Sequence, residues 1–251
     1  MAHGTKLSKT QSPTTLEEQS TMAKVPYQSA VGSIMHAAVM TRPEISYACQ
    51  RVSQFMQNPG EAHWTAVKQI IQYLKGTRNL SLTLDGASKS FDITAWSDSD
   101  FAGHPDHGWS VSGYALFLGR RCFSWRSRKQ TATASSTSEA KYYAAHLCSH
   151  EVIWFHQLIE QIGFPLEAPT PFHVDSQAAI ANMNSEQING SNKHVKVPYH
   201  WICEAVIENQ HIVTVNVPSQ DNCADIFTKS FAGPAHSHLV QMLGLKVVGT
   251  H

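Results

Sequence analysis

Four aspartates carry the chemistry that this sequence offers. Asp98 and Asp100 close the run Ile93-Thr94-Ala95-Trp96-Ser97-Asp98-Ser99-Asp100-Phe101-Ala102-Gly103, and Asp175 and Asp225 stand alone in apolar settings downstream. Apolar and polar residues alternate up to Trp96, the period of a strand with one buried face. A carboxylate at the end of a strand is held rigidly, and two or three that converge can bind a hard divalent cation through oxygen. Without convergence, Asp-Ser-Asp is an Asx-rich turn.

Charge is balanced, with 19 basic and 19 acidic residues, so only its local distribution can favour a polyanionic partner. No acid falls between Asp106 and Glu139, whereas Arg120, Arg121, Arg126, Arg128 and Lys129 cluster there. The five cysteines are scattered and never spaced Cys-x-x-Cys, which speaks against a disulfide framework and fits a reducing compartment. No apolar run reaches the ~20 residues of a membrane span, and the N-terminus lacks the apolar core of a secretory signal. The expectation is an intracellular protein of cytoplasm or nucleus with no membrane partner.

Residues 1–25 are rich in Thr, Ser, Lys and Glu without apolar period and are expected to be a disordered lead-in. Helical spacing follows through Val31, Ile34, Met35 and Ala38. It continues from a capping box at Thr41–Glu44 through Ile45, Ala48, Cys49, Val52 and Met56, and then through Val67, Ile70, Ile71 and Leu74 to Gly76. Strand period covers 80–84, 91–96, 113–118 and 121–125. A long helix starts at a capping box of Ser136 and Glu139, with Ala140, Ala144, Leu147, Trp154 and Leu158 as its apolar stripe. Phe172–Asp175 and Ile212–Val217 read as strands, Ala178–Ile180, Tyr199–Ile207 and Ala224–Phe227 as helices. Strands first and then strand alternating with helix indicate an α/β sheet covered on both faces.

With these pieces in order the sequence resembles the ribonuclease H region of copia-type retrotransposon polyproteins. The residues that carry the resemblance are Val25–Ser33, Thr41–Glu44, Tyr73–Thr77, Ser97–Gly103, Ser112-Gly113-Tyr114, Ser124-Trp125, Lys129-Gln130, Ser135-Ser136-Thr137, Lys193-His194 and Ala224–Lys229. It implies a mixed five-stranded ribonuclease H-like sheet flanked by helices and preceded by a short helical segment. The implied organisation is a reverse transcriptase tail over 26–90, a ribonuclease H-like domain over 91–230 and a C-terminal tail over 231–251. The polymerase palm is absent from the chain, so no polymerase activity is expected.

The implied activity is hydrolysis of the RNA strand of an RNA–DNA hybrid by two Mg²⁺ ions roughly 4 Å apart. By motif, Asp98, Asp175 and Asp225 are the first, third and fourth metal-binding carboxylates. The second should be the later glutamate of Glu-Ala-Glu-Tyr, but the chain reads Glu139-Ala140-Lys141-Tyr142. Lys141 therefore stands at a ligand position, and an ammonium repels Mg²⁺. Glu139 is a poor substitute, because two helical steps turn it by ~200°. Gly108-Trp109 replaces a basic pair, and Lys196 and Pro198 replace an acid and an arginine beyond Lys193-His194. The resemblance thus implies a weak or inactive copy. An active nuclease using the three aspartates, and a non-catalytic nucleic-acid-binding module, are the alternatives.

Nucleic-acid contacts are expected from Arg121, Arg126, Arg128, Lys129, Lys193 and His194. The implied partners are a hybrid, the upstream polymerase palm and the integrase of the same polyprotein. His146 and His150, with Cys148 between them, have a zinc-capable spacing but no third ligand in register, and read as helix surface. Trp109, Trp125 and Trp154 could stack bases, although Trp125, within a strand, reads as core.

Overall fold

The computed structural model describes residues 4–84, 92–164, 166, 168–185, 201, 202 and 204–249. Its helices are α1 (Leu16–Ala23), α2 (Tyr27–Met40), α3 (Ser46–Ser53), α4 (Glu61–Gly76), α5 (Thr137–Gln161), α6 (Gln177–Met183) and α7 (Gly233–Met242). The strands are β1 (Leu80–Leu82), β2 (Ile93–Asp100), β3 (Val111–Leu118), β4 (Arg121–Lys129), β5 (Thr170–Val174), β6 (Ile212–Asn216) and β7 (Leu245–Val247). The α/β architecture and the mixed five-stranded sheet expected from the sequence are both present.

That sheet runs in the order β4-β3-β2-β5-β6. β2, β3 and β4 pair antiparallel, while β5 pairs parallel with both β2 and β6. Strand alternation sends Tyr114 and Leu116 to one face, where α5 and α6 add Ala145, Cys148, Val152 and Met183. Ala115 and Phe117 point to the other face, against Ile226, Phe227, Leu239 and Leu243. Covering both faces explains why β3 is almost continuously buried.

A separate core holds α2, α3 and α4 together through Tyr27, Val31, Ile34, Cys49, Val52, Val67 and Ile70. Trp125 ties it to the sheet, its indole Nε1 donating to the Ala38 carbonyl at 2.8 Å. Trp125 is thus a packing residue, as its place in a strand suggested. β1 and β7 form a second, two-stranded antiparallel sheet.

Several expectations need correction. The segment expected to be disordered buries Leu7 and forms a 3-10 turn at Lys9–Gln11 followed by α1. Arg51 donates to the Leu7 carbonyl at 3.1 Å, and Lys9 N donates to Asp106 at 3.0 Å; these distant partners leave no mark on local periodicity. Thr41 does not cap a helix. Arg42 occupies that place ahead of a 3-10 turn, and Glu44 is buried against its guanidinium at 2.6 Å. Met35 and Ile71 are exposed.

The long helix is turned from its expected face. Ala140 and Ala144 are buried, but Trp154 is 56% exposed and Leu158 also faces outward. The buried stripe continues instead through Ala145, Cys148 and Val152. Ala224–Phe227 lies in a 3-10 turn, Cys223–Phe227. Of the helix expected at Tyr199–Ile207, residues 199, 200 and 203 lie outside the described residues, and Glu204–Glu208 is a π-helical turn.

Candidate active site

Three elements meet at the C-terminal end of β2. Asp98 lies on β2 opposite Gly113 of β3, and Asp175 immediately follows the parallel strand β5. Asp225 arrives on the 3-10 turn Cys223–Phe227. Asn222 sets that turn: its amide nitrogen donates to the Ser97 carbonyl at 3.0 Å and its Oδ1 caps Ala224 N at 3.1 Å. Gly113 makes room for the turn. A Cβ there would lie 2.6 Å from Phe227 Cβ and 2.8 Å from Thr228 Cγ2.

Carboxylate oxygens of Asp98, Asp175 and Asp225 all lie within 4.8 Å of one another. Among the described residues this is the one convergence of three or more groups able to ligate a metal. Asp100 is outside it; its carboxylate lies against Gly103, where a Cβ would come within 1.9 Å.

Lys141, on the second turn of α5, reaches into the cluster. Its Nζ lies 3.0 Å from Asp98 Oδ1 and 2.5 Å from Asp175 Oδ1. Thr228 Oγ1 donates to the second Asp98 oxygen at 2.6 Å, and Ser219 Oγ donates to the second Asp175 oxygen at 2.8 Å. Burial alone would raise the Asp98 pKa, but hydrogen bonding from the Asp225 carboxyl, the Lys141 charge and the Thr228 hydroxyl hold it below the ordinary carboxylate value. Burial also works against a charged Lys141; the Asp98 charge and the hydrogen bond to Asp175 more than offset it and raise its pKa.

Asp225 behaves differently. Lys229, four residues on, binds its Oδ2 at 2.7 Å, and the Asp225 carboxyl also shares a hydrogen bond with Asp98. Burial, and then the neighbouring Asp98 charge, push its pKa up to about 8. A protonated carboxyl removes the repulsion between two buried acids and lets Asp225 donate to Asp98.

Glu139 does not reach the cluster. Its Oε2 accepts from Ser135 N at 2.7 Å and Ser135 Oγ at 2.5 Å, while Ser136 Oγ caps Glu139 N at 3.1 Å. The carboxylate thus answers Ser135 rather than closing a reciprocal box with Ser136. Sequence reading gave Thr228, Lys229 and Ser219 no role. Thr228 and Lys229 lie inside the motif Ala224–Lys229, where the i, i+4 spacing of Asp225 and Lys229 was the available signal; nothing local marks Ser219.

The basic residues divide. Arg126 and Arg128 are exposed on the edge strand β4. Lys129 Nζ lies 3.6 Å above the Trp109 ring. Arg121 is tied down, donating to the Gly244 carbonyl at 3.1 Å. Lys193 and His194 lie outside the described residues. The rings of His146 and His150 meet edge to face at 4.5 Å. Cys148 is fully buried with its Sγ toward the Trp96 carbonyl, so the three form no metal site. No helix is long and apolar enough to cross a membrane among the described residues.

No protein-family model matches the chain. It is 39% identical over 224 residues to the retrovirus-related Pol polyprotein from transposon TNT 1-94 of Nicotiana tabacum, covering 89% of this chain and 17% of that one. With the Pol polyprotein from transposon RE1 of Arabidopsis thaliana it shares 34% identity, over 87% of this chain and 15% of the relative. The chain therefore spans about a sixth of the length of these curated relatives. A shorter relative, secreted RxLR effector protein 161 of Plasmopara viticola, is 40% identical over 53% of this chain and 93% of its own length. Among solved structures, LC11-RNase H1 aligns at 17% identity with a TM-score of 0.44, over 55% of this chain and 94% of that chain.

Proposed function

Because the chain belongs to the family of copia-type retrotransposon Pol polyproteins, of which it spans one segment, we propose that residues 91–230 are a ribonuclease H-like domain that holds an RNA–DNA hybrid but cleaves it weakly or not at all. The single observation that carries this reading is the Lys141 ammonium, 3.0 Å from Asp98 and 2.5 Å from Asp175.

Three convergent carboxylates are a donor set suited to a hard divalent cation such as Mg²⁺. Here an ammonium already bridges two of the three, Thr228 and Ser219 occupy their outer oxygens, and the third carboxylate is paired with Lys229. A cation placed among these groups would displace a charge-assisted hydrogen bond at each step and meet a like charge. The residues as they stand do not fit a resident Mg²⁺ pair.

The bound hybrid would rest on the strand edge that presents Arg126 and Arg128, with phosphate neutralisation supplying the affinity. Residues 26–90 are then the tail of the reverse transcriptase segment. The polymerase palm and the integrase of the longer polyprotein are the domain's neighbours.

A second reading, an active nuclease using Asp98, Asp175 and Asp225, is favoured by their convergence within 4.8 Å. One assay separates the two: incubation of the purified chain with a labelled RNA–DNA hybrid in Mg²⁺, with binding measured in parallel. Saturable binding with cleavage at background supports the first reading. Mg²⁺-dependent cleavage that Asp98→Asn abolishes supports the second, and no saturable hybrid binding overturns both.

A further inference from the structure

A cavity of about 440 Å³ lies where α3 and α4 meet the turn that carries Asp225 and the start of α7. Its volume falls within the roughly 300–1,000 Å³ of small-molecule pockets. Ile45 and Ile70 wall it from the helical segment, and Ile226 and Phe231 from the turn and the chain that follows. Tyr47 and Tyr73 add two more rings. None of these six side chains belongs to the carboxylate cluster.

One acid and two bases also line it, Glu44, Lys229 and His236. Two of them are committed elsewhere. Glu44 is paired with the Arg42 guanidinium at 2.6 Å, and its side chain has no exposed surface. The His236 ring lies edge-on to Tyr73 at 5.5 Å, and burial holds its pKa below the ordinary histidine value. Lys229 is different. Its side chain is 42% exposed, although Nζ reaches Asp225 Oδ2 at 2.7 Å. An ammonium has three N–H donors, so one salt bridge leaves Lys229 able to bind a second acid. Nζ also lies 5.7 Å from the centre of the Phe231 ring, which puts the charge beside the aromatic wall.

We propose that this cavity binds a small aromatic carboxylate, its rings against the isoleucine and aromatic walls and its carboxylate on Lys229 Nζ. Walls that carry three rings favour an aromatic guest over an aliphatic one through edge-to-face contacts. The accessible ammonium selects an anion through a charge-assisted hydrogen bond. A phosphate-bearing guest fits less well, because among the described residues neither an arginine nor a second lysine lines the cavity. Lys229 is then shared between the guest and Asp225, so an occupied cavity touches the cluster through one side chain.

The probes are 2-naphthoate, its neutral isostere 2-naphthamide, and octanoate, which has the charge without the rings. Each is titrated into the purified chain at pH 7.5 and followed by calorimetry and NMR shifts. Naphthoate should bind saturably, and naphthamide and octanoate at least tenfold and several-fold more weakly. Lys229→Met, verified as folded by its spectrum, should weaken naphthoate about tenfold and leave naphthamide unchanged, whereas Lys229→Arg should keep naphthoate binding within a few-fold. Ala48 also lines the cavity, and Ala48→Phe should abolish binding of all three by filling it. No saturable naphthoate binding, equal binding of naphthoate and either other probe, or indifference to both Lys229→Met and Ala48→Phe would overturn the proposal. Hybrid binding and cleavage play no part in these readouts, so failure here leaves the ribonuclease H-like reading standing.

Discussion

The two sides of the carboxylate cluster solve one problem in opposite ways. On one side, Lys141 lies between Asp98 and Asp175, and hydroxyls from Thr228 and Ser219 donate to their remaining oxygens. On the other, Asp225 has Lys229 on one oxygen, and burial together with the neighbouring Asp98 charge drives it toward its protonated form. Asp98 and Asp225 both have a cationic partner; what sets Asp225 apart is its burial beside the Asp98 charge. On the reading proposed above, Lys141 and Lys229 supply the positive charge that a divalent ion would bring, and Lys141 is the one that touches two of the three acids.

The largest effect should come from reversing that residue. Lys141→Glu places a fourth carboxylate where an ammonium stood and removes the counter-charge from Asp98 and Asp175. Three or four acids in one place cannot all ionise without a cation. The variant should therefore bind Mg²⁺ measurably by calorimetry and gain Mg²⁺-dependent cleavage of a hybrid at least tenfold above background. If it neither binds the ion nor cleaves, Lys141 is not what separates this site from a working one.

Deleting the charge sharpens the comparison without adding chemistry. Lys141→Ala leaves two buried carboxylates facing each other unpaired, and removing one partner of a buried ion pair costs about 3–5 kcal/mol. Denaturant unfolding with a chelator present should show that loss, and added Mg²⁺ should recover part of it. For the unmodified protein Mg²⁺ should hardly move the midpoint. Equal Mg²⁺ stabilisation of both proteins would contradict the idea that the lysine is the resident counter-ion.

The pH profile of stability probes the other side. Asp225 has a folded pKa of about 8, above its unfolded value. Folding therefore takes up a proton between roughly pH 4 and 8, and stability contributed by this group is lost as pH rises through that window. Buried His146 and His156 act with the opposite sign. Their folded pKa values of about 4 lie below the ordinary 6.5, so their contribution is present above 6.5 and is lost as pH falls toward 4. Between pH 6.5 and 8 the histidine contribution is flat, and the Asp225 slope should stand alone. Asp225→Asn should flatten stability over that interval and leave the acid side falling. An unchanged slope in the variant would place the proton elsewhere.

How far the site can be read from the sequence follows the range of the forces that build it. Asp98, Asp175 and Lys141 come from a strand end, a strand end and a helix start, which period and capping residues mark locally, and all three meet. Their hydroxyl partners could not be read, because Ser219 finds Asp175 across 44 positions and Thr228 finds Asp98 across 130. Hydrophobic size misled at α5. The large residues Trp154 and Leu158 seemed the natural core stripe, but the helix lays small residues, Ala145, Cys148 and Val152, against the sheet. The N-terminal segment has a polar composition that resembles disorder, yet the Arg51 side chain donates to the Leu7 carbonyl and Lys9 N donates to Asp106, both far along the chain.

The smallest effect concerns the acid that is nearest Lys141 in sequence but takes no part in the cluster. Glu139 lies in the first turn of α5, where its Oε2 accepts from Ser135 N and Oγ. A negative charge at a helix N-terminus contributes typically 0.3–1 kcal/mol, screened by salt, and the Ser135 bonds add to it only modestly because they are exposed. Glu139→Gln keeps the shape and a carbonyl oxygen able to accept the same bonds while losing the charge. The unfolding free energy should fall by about 0.5–1 kcal/mol, less at high salt, with hybrid binding unchanged and Lys141→Glu cleavage intact in the double variant. Additivity is expected, since the Glu139 carboxylate bonds Ser135 rather than Asp98 or Asp175. If Glu139→Gln instead abolishes the cleavage that Lys141→Glu confers, the first turn of α5 rearranges on metal binding and the two sides of the cluster have a third participant.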